Sequence, residues 1–70
     1  MVIGSNVSIG RNVSIGSGVV IGDNTFINQG VIIGDNVTIG EDVTIGRNAV
    51  ISDGAVIPDG TVIGKGVTVP

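Results

Sequence analysis

A large aliphatic residue recurs at every sixth position of this chain. It is isoleucine from Ile3 to Ile63 and valine at Val69, and the period never slips. From Val7 onward, a small residue, most often valine, stands two positions before each of them. Successive side chains of an extended strand point to opposite sides, so these two share one side and the residue between them points to the other. The pattern predicts strands of about three residues, each with two inward side chains and one outward side chain.

The position before each small residue predicts where the chain turns. It holds only Gly, Asn or Asp, the residues that most readily adopt a left-handed backbone, at Asn6, Asn12, Gly18, Asn24, Gly30, Asn36, Asp42, Asn48, Gly54, Gly60 and Gly66. The position after each isoleucine is mostly Gly but accepts Pro58 and Pro70, so its φ is not positive. We expect glycine there to allow a close backbone approach. We also expect Gly34→Ala to be tolerated better than Asn36→Ala.

A short unit with one apolar side cannot bury that side alone and must stack on its neighbours. A helix does not explain the pattern, because the apolar spacings of two and four do not follow a 3.6-residue period. The sequence therefore predicts an all-β solenoid. Seventy residues make it a single domain, residues 1–70.

The composition excludes several classes of function. The chain has no His, Cys, Trp or Tyr, so it offers neither a disulfide nor a thiolate metal site. Its net charge of −3 argues against a nucleic-acid partner. No apolar run is long enough to span a bilayer and no basic-then-apolar leader opens the sequence, so we expect a soluble chain with no membrane partner. Its cellular location is not defined by these features.

Two segments resemble the hexapeptide-repeat family. They are IGDNVTIGEDVTIG at residues 33–46 and VIPDGTVIGKGVTV at residues 56–69, and the repeat they share covers the whole chain. The resemblance implies a left-handed parallel β-helix of triangular section with eighteen residues in each coil, hence about four coils here. The C-terminal helix typical of the family is missing from the sequence, so we expect no capping helix.

Many members of that family are acyltransferases that use acetyl-CoA or acyl carrier protein and assemble as trimers. The segment IGDNTFIN at residues 21–28 is similar to one in sugar O-acetyltransferases. Those enzymes use a histidine as general base, commonly in a long loop, and the carbonic-anhydrase branch uses histidine ligands. This chain has neither a histidine nor a loop insertion. We therefore expect no catalytic residue, cofactor, metal ligand or small-molecule substrate.

If a coil holds eighteen residues, the charged residues sort into three columns at the corners of the triangle. The first acidic corner is defined by Ser5, Asp23, Glu41 and Asp59, the basic corner by Arg11, Gln29, Arg47 and Lys65, and the second acidic corner by Ser17, Asp35 and Asp53. All three basic residues of the chain lie on one corner. This sorting reflects chance, a duplicated coil, or an arrangement for lateral packing against another copy.

The outward positions form three faces that are unusually apolar for exposed surface. The Val20 face carries Val2, Val20, Thr38 and Val56; the Phe26 face carries Ser8, Phe26, Thr44 and Val62; and the Ile32 face carries Ser14, Ile32, Val50 and Thr68. A contiguous apolar patch usually marks an interface. We predict a parallel homo-oligomer, a trimer ahead of a dimer, with the following interface residues: Arg11, Arg47, Lys65, Phe26, Val62, Ile32 and Val50.

The leading functional hypothesis is a non-catalytic structural scaffold, a designed, consensus-built or excised version of a hexapeptide-repeat domain. An acyltransferase-like enzyme would need Asp or Glu in place of the missing histidine. An ice-binding surface would need a rank of outward threonines, but Thr38, Thr44 and Thr68 fall on different faces. A calcium site on the first acidic corner is a further alternative. Pro58 and Pro70 fall in the last coil, where we expect them to discourage an added strand.

Overall fold

The computed structural model of the protein describes residues 1–69. It contains twelve strands of two residues each, and every one consists of an outward residue followed by the recurring aliphatic residue. In chain order they are β1 (Val2–Ile3), β2 (Ser8–Ile9), β3 (Ser14–Ile15), β4 (Val20–Ile21), β5 (Phe26–Ile27), β6 (Ile32–Ile33), β7 (Thr38–Ile39), β8 (Thr44–Ile45), β9 (Val50–Ile51), β10 (Val56–Ile57), β11 (Val62–Ile63) and β12 (Thr68–Val69).

Three parallel sheets of four strands form the sides of a solenoid. Their strand orders are β1-β4-β7-β10, β2-β5-β8-β11 and β3-β6-β9-β12. Each strand pairs with the one three places later, in the register that places Val2 beside Val20 and Ile3 beside Ile21. One coil is therefore eighteen residues, and there are four coils. Within residues 1–69 the fold is all-β with no helix, as the repeat predicts.

The strands are one residue shorter than the sequence predicts. Before β9, β10, β11 and β12 the amide of the small inward residue closes the turn instead of extending the strand. The amide of Ala49, for example, donates to the carbonyl of Gly46 at 3.4 Å, and the amide of Ala55 donates to that of Ser52 at 3.3 Å. An amide used within the turn is not available to the neighbouring coil. The carbonyl of the small residue still accepts from that coil, as Val37 does from Val20 at 2.9 Å.

The predicted corner residues all have a left-handed backbone. The φ angle is positive at every Asn and Asp of the series, between 56° and 61°, and at every Gly of the series, between 72° and 74°. A left-handed third residue is what a tight type II turn requires. The choice of Gly, Asn or Asp at these positions is thus explained by the backbone conformation that the turn imposes.

The inward side chains form one continuous core. The isoleucines of β4–β11 are buried, together with the small residues that precede β4–β10, while the intervening residues such as Thr38 face solvent. Thr25 is the one buried polar side chain among the described residues, and its hydroxyl donates to the carbonyl of Gly40 at 2.9 Å. The predicted division between inward and outward positions is confirmed.

The glycine that follows most isoleucines permits close stacking of the coils, as expected. A Cβ built on Gly34 would lie 2.6 Å from the amide nitrogen of Asp53 and against its carboxylate oxygen. The expectation that Gly34→Ala would be mild is therefore wrong. Pro58 holds the equivalent position in the last coil that the structure describes, where no described coil stacks over it. Its presence therefore says nothing about the space available over Gly34.

Across residues 1–69, no helix has the length and apolar character needed to cross a membrane.

Candidate functional site

The three predicted corner columns are present in the structure. The register of eighteen residues that joins the strands also joins the corners, as shown by hydrogen bonds between residues eighteen apart at all three of them. The Phe26 face lies between the first acidic corner and the basic corner. The Ile32 face lies between the basic corner and the second acidic corner, and the Val20 face has an acidic corner on each side.

The two acidic corners are built around a capping contact that sequence reasoning missed. Asp23 accepts a hydrogen bond through Oδ1 from the amide of Ser5 at 2.8 Å, one coil earlier. Equivalent bonds run from Ser17 to Asp35, from Asp35 to Asp53 and from Glu41 to Asp59, at 2.9, 2.7 and 2.8 Å. The carboxylate oxygen reaches the amide because the residue just before the donor is a glycine, such as Gly4 before Ser5, and has no side chain in the way. The sequence signal was an Asp nineteen residues after a Gly, as in Gly4 and Asp23.

The basic corner is built differently, since it has no Asp whose carboxylate could accept from a backbone amide of the preceding coil. At Gln29 the amide donates instead to Oδ1 of the preceding Asn28 at 2.8 Å. The side chain of Gln29 accepts from Nη2 of Arg11 at 3.4 Å. Arg11, Arg47 and Lys65 are exposed, so this corner presents its charge to solvent or to another molecule.

The faces on either side of the basic corner expose large apolar side chains. Phe26 is 46% exposed, Ile32 51% and Val62 76%, whereas Val50 is half-buried between its column neighbours. The seven predicted interface residues therefore share one continuous surface, the basic corner with its two adjoining faces. Exposed side chains of this kind on regular strands make a flat surface suited to another flat surface.

Residues 1–69 contain no pocket. Nor do the residues that the structure describes include a cluster of three or more carboxylate, thiol or imidazole groups that could hold a metal ion. The acidic corners use several of their carboxylates to cap backbone amides instead.

Pro58 follows β10 at the C-terminal end of the solenoid. In the three earlier coils the residue at this position is Gly4, Gly22 or Gly40, and its amide donates to the coil that follows at 2.8 Å. Proline has no such donor. At this end its missing amide leaves no bond within the chain unmade, as the sequence predicts. Pro70 lies outside the described residues.

Comparison with known families identifies the repeat. The family described as bacterial transferase hexapeptide (six repeats) matches residues 1–35, 12–47 and 24–59. These overlapping matches span most of the chain, so the protein belongs to the hexapeptide-repeat family. That membership implies the left-handed sense of the coil, which runs against the usual right-handed crossover of parallel strands. No curated protein matches the chain significantly.

Proposed function

We propose that this protein is a non-catalytic β-solenoid scaffold that associates with itself through the basic corner and the apolar faces beside it. The observation that carries the proposal is the exposed apolar surface of Phe26, Ile32 and Val62, flanked by corners of opposite charge. Association removes apolar area from water and so provides the affinity. The charged corners provide orientation more than affinity, because exposed ion pairs are weak.

The charge pattern favours parallel packing. When two Phe26 faces meet around a two-fold axis along the solenoid, the basic corner of each copy lies beside the first acidic corner of the other. When the same faces meet with their axes antiparallel, each corner lies beside its own equivalent and like charges repel. The Ile32 face follows the same rule with the second acidic corner, so both faces select a parallel homo-oligomer.

The size of a face favours a trimer over a dimer. Four strands spaced about 4.8 Å apart make a face about 19 Å tall, and with a similar width it covers roughly 400 Å². A stable interface usually buries about 800 Å² of each partner. A dimer uses one face of each chain, whereas a ring of three uses two surfaces of each chain around the basic corner. The trimer therefore comes closer to the area that stable association needs. In that ring the Phe26 face of one copy meets the Ile32 face of the next and basic corners come together, so the charge pattern favours the dimer while the buried area favours the trimer.

The absence of histidine supports a scaffold over an acyltransferase, because a hydroxyl acceptor requires a general base. The lack of a pocket among residues 1–69 gives no place for the pantetheine arm of an acyl donor. The regular repeat, which no loop interrupts in the described residues, supports a designed or consensus-built origin. An assay of acetyl-CoA turnover with a panel of sugar and amine acceptors tests the non-catalytic part of the proposal, and turnover above background would contradict it.

Charge reversal tests the self-association. The variant with Arg11, Arg47 and Lys65 all changed to Glu should dissociate to a monomer, since its basic corner becomes acidic like the other two. Its control carries Val2→Glu and Thr38→Glu on the Val20 face, which also adds negative charge but lies away from the contact. Sedimentation equilibrium should report a loss of mass for the first variant alone. A wild-type protein that stays monomeric at high micromolar concentration would contradict the proposal.

A further inference from the structure

The two ends of the solenoid differ in how they expose the core. Ile57 and Ile63 in the last coil are only 3% and 6% exposed although no coil lies after them. Ile3 and Ile9 in the first coil are 43% and 40% exposed. The inward isoleucines therefore lean toward the preceding coil and cover it. At the N-terminal end they lean out of the solenoid and form an apolar protrusion.

The C-terminal end has the complementary shape and the complementary backbone. Within the solenoid, the amides of the outward residue and of the residue after isoleucine donate to the following coil, as from Ser8 to Thr25 at 3.0 Å and from Gly10 to Ile27 at 2.7 Å. In the last coil Val62 and Gly64 hold these donor positions. The isoleucines there lean away from the end and leave its surface open to another coil.

We propose that the N-terminal end of one copy stacks on the C-terminal end of a second copy, with its first coil in the place of a fifth coil. In this register Val62 donates to the carbonyl of Val7 of the second copy, and Gly64 donates to that of Ile9. The protruding isoleucines of the second copy pack on the last coil of the first copy, as the isoleucines of each coil pack on the coil before it within one chain. Two N-terminal ends would instead set protrusion against protrusion. The contact is head-to-tail, so it does not close and it builds a filament.

Pro58 restrains this stacking. It stands where Gly4, Gly22 and Gly40 donate to the next coil, so the second copy's Ile3 carbonyl would receive no hydrogen bond. The missing side chain of glycine also leaves room in this column, since a Cβ on Gly40 would lie 2.6 Å from the amide nitrogen of Asp59. A proline ring at the end of the solenoid therefore removes a donor and occupies space that the next coil needs.

The variant Pro58→Gly restores both the donor and the space, and Pro58→Ala is its matched control because it restores the donor but keeps a Cβ. We expect Pro58→Gly to form filaments at a concentration roughly five-fold lower than the wild type, the gain of about one hydrogen bond, and Pro58→Ala to gain less. Light scattering measures the growth. Fibre diffraction should show the spacing of about 4.8 Å between strands along the filament axis.

Ile9→Lys in the Pro58→Gly background tests the protrusion itself, since it places a charge in the contact at a position already half open to solvent. Val2→Lys is its control, an outward change in the same coil, and circular dichroism establishes that both variants fold. Growth should be lost with Ile9→Lys and kept with Val2→Lys. Equal growth of Pro58→Gly and wild type, or growth that survives Ile9→Lys, would overturn the proposal.

Salt distinguishes this end contact from the lateral contact proposed above. Stacking in register sets Lys65 beside Arg11 of the second copy, so screening by salt should strengthen it. The lateral contact pairs opposite charges, and salt should weaken it. Filament growth that falls with added salt would overturn the proposed register, whatever becomes of the lateral oligomer.

Discussion

Replacement of Gly34 by alanine should be among the most damaging conservative changes in the chain. The added Cβ would lie 2.6 Å from the amide nitrogen of Asp53 and 2.9 Å from its Cα, well inside normal contact distance. It would also displace the Asp53 carboxylate, which accepts from the amide of Asp35 at 2.7 Å. Relief requires two coils to separate locally, and the core isoleucines on both sides oppose that separation.

The cost of Gly34→Ala combines two terms. Overpacking in a rigid setting costs about 1–3 kcal/mol, and loss of the capping hydrogen bond costs about 1 kcal/mol. The reduced freedom of the unfolded chain offsets about 0.4–1 kcal/mol of this sum. We expect a net loss of about 2–3 kcal/mol in the free energy of unfolding, more than the roughly 1 kcal/mol of strain that Asn36→Ala should bring at its left-handed position.

Gly64→Ala is the matched control. Gly64 holds the equivalent position in the last coil, and the nearest atom to its added Cβ would be a methyl carbon of Val67 at 3.5 Å, an ordinary contact. This variant should be neutral or more stable by about 0.4–1 kcal/mol. Urea unfolding followed by circular dichroism, at one protein concentration because association adds to stability, measures all three variants. If Gly34→Ala is no less stable than Gly64→Ala, the close approach of the coils is wrong.

Two further changes test the corners and the core. Gln29→Asp should cap the amide of Arg11 as Asp23 caps that of Ser5. It should raise the free energy of unfolding by about 1 kcal/mol relative to its control Gln29→Glu, which has the same charge but a longer side chain. Equal stability of the two variants would contradict the capping role. Ile33→Asp should abolish the β-type circular dichroism because it buries an unpaired charge in the middle of the core, while Thr38→Asp should keep it; equal loss in both would contradict the inward and outward assignment.

The repeat predicts the fold because the same order, an outward residue followed by an inward aliphatic residue, recurs in all twelve strands. The six-residue period identifies the inward positions, and the restriction to Gly, Asn and Asp identifies the left-handed corners, since few other residues accept that φ. The sharing of one corner by Arg11, Arg47 and Lys65 needs the length of a coil as well. That length came from the family resemblance and is confirmed by the strand register.

Contacts between coils could not be read from the repeat alone. The space above Gly34 depends on how closely the backbone and side chain of Asp53 approach from the next coil. The presence of Pro58 at the equivalent position concealed how small that space is. The lean of Ile3 and Ile9 out of the N-terminal end depends on side-chain direction within the coil, which a periodic pattern does not encode. Exposure of Phe26 was predictable, but what covers it depends on a second molecule.

The most direct test of the self-association is disulfide formation between single-cysteine variants, since the chain itself has no cysteine. Asp59→Cys mixed with Lys65→Cys reports parallel packing through the Phe26 face, and Asp53→Cys mixed with Arg47→Cys reports it through the Ile32 face. Asp23→Cys mixed with Glu41→Cys reports antiparallel packing, because these positions of the first acidic corner lie in the second and third coils and end-to-end stacking does not bring them together. Parallel association predicts cross-linked dimers of about 14 kDa, twice the 6.9 kDa of one chain, in at least one of the first two mixtures and not in the third. Cross-linking in the third mixture alone, or in none, would contradict it.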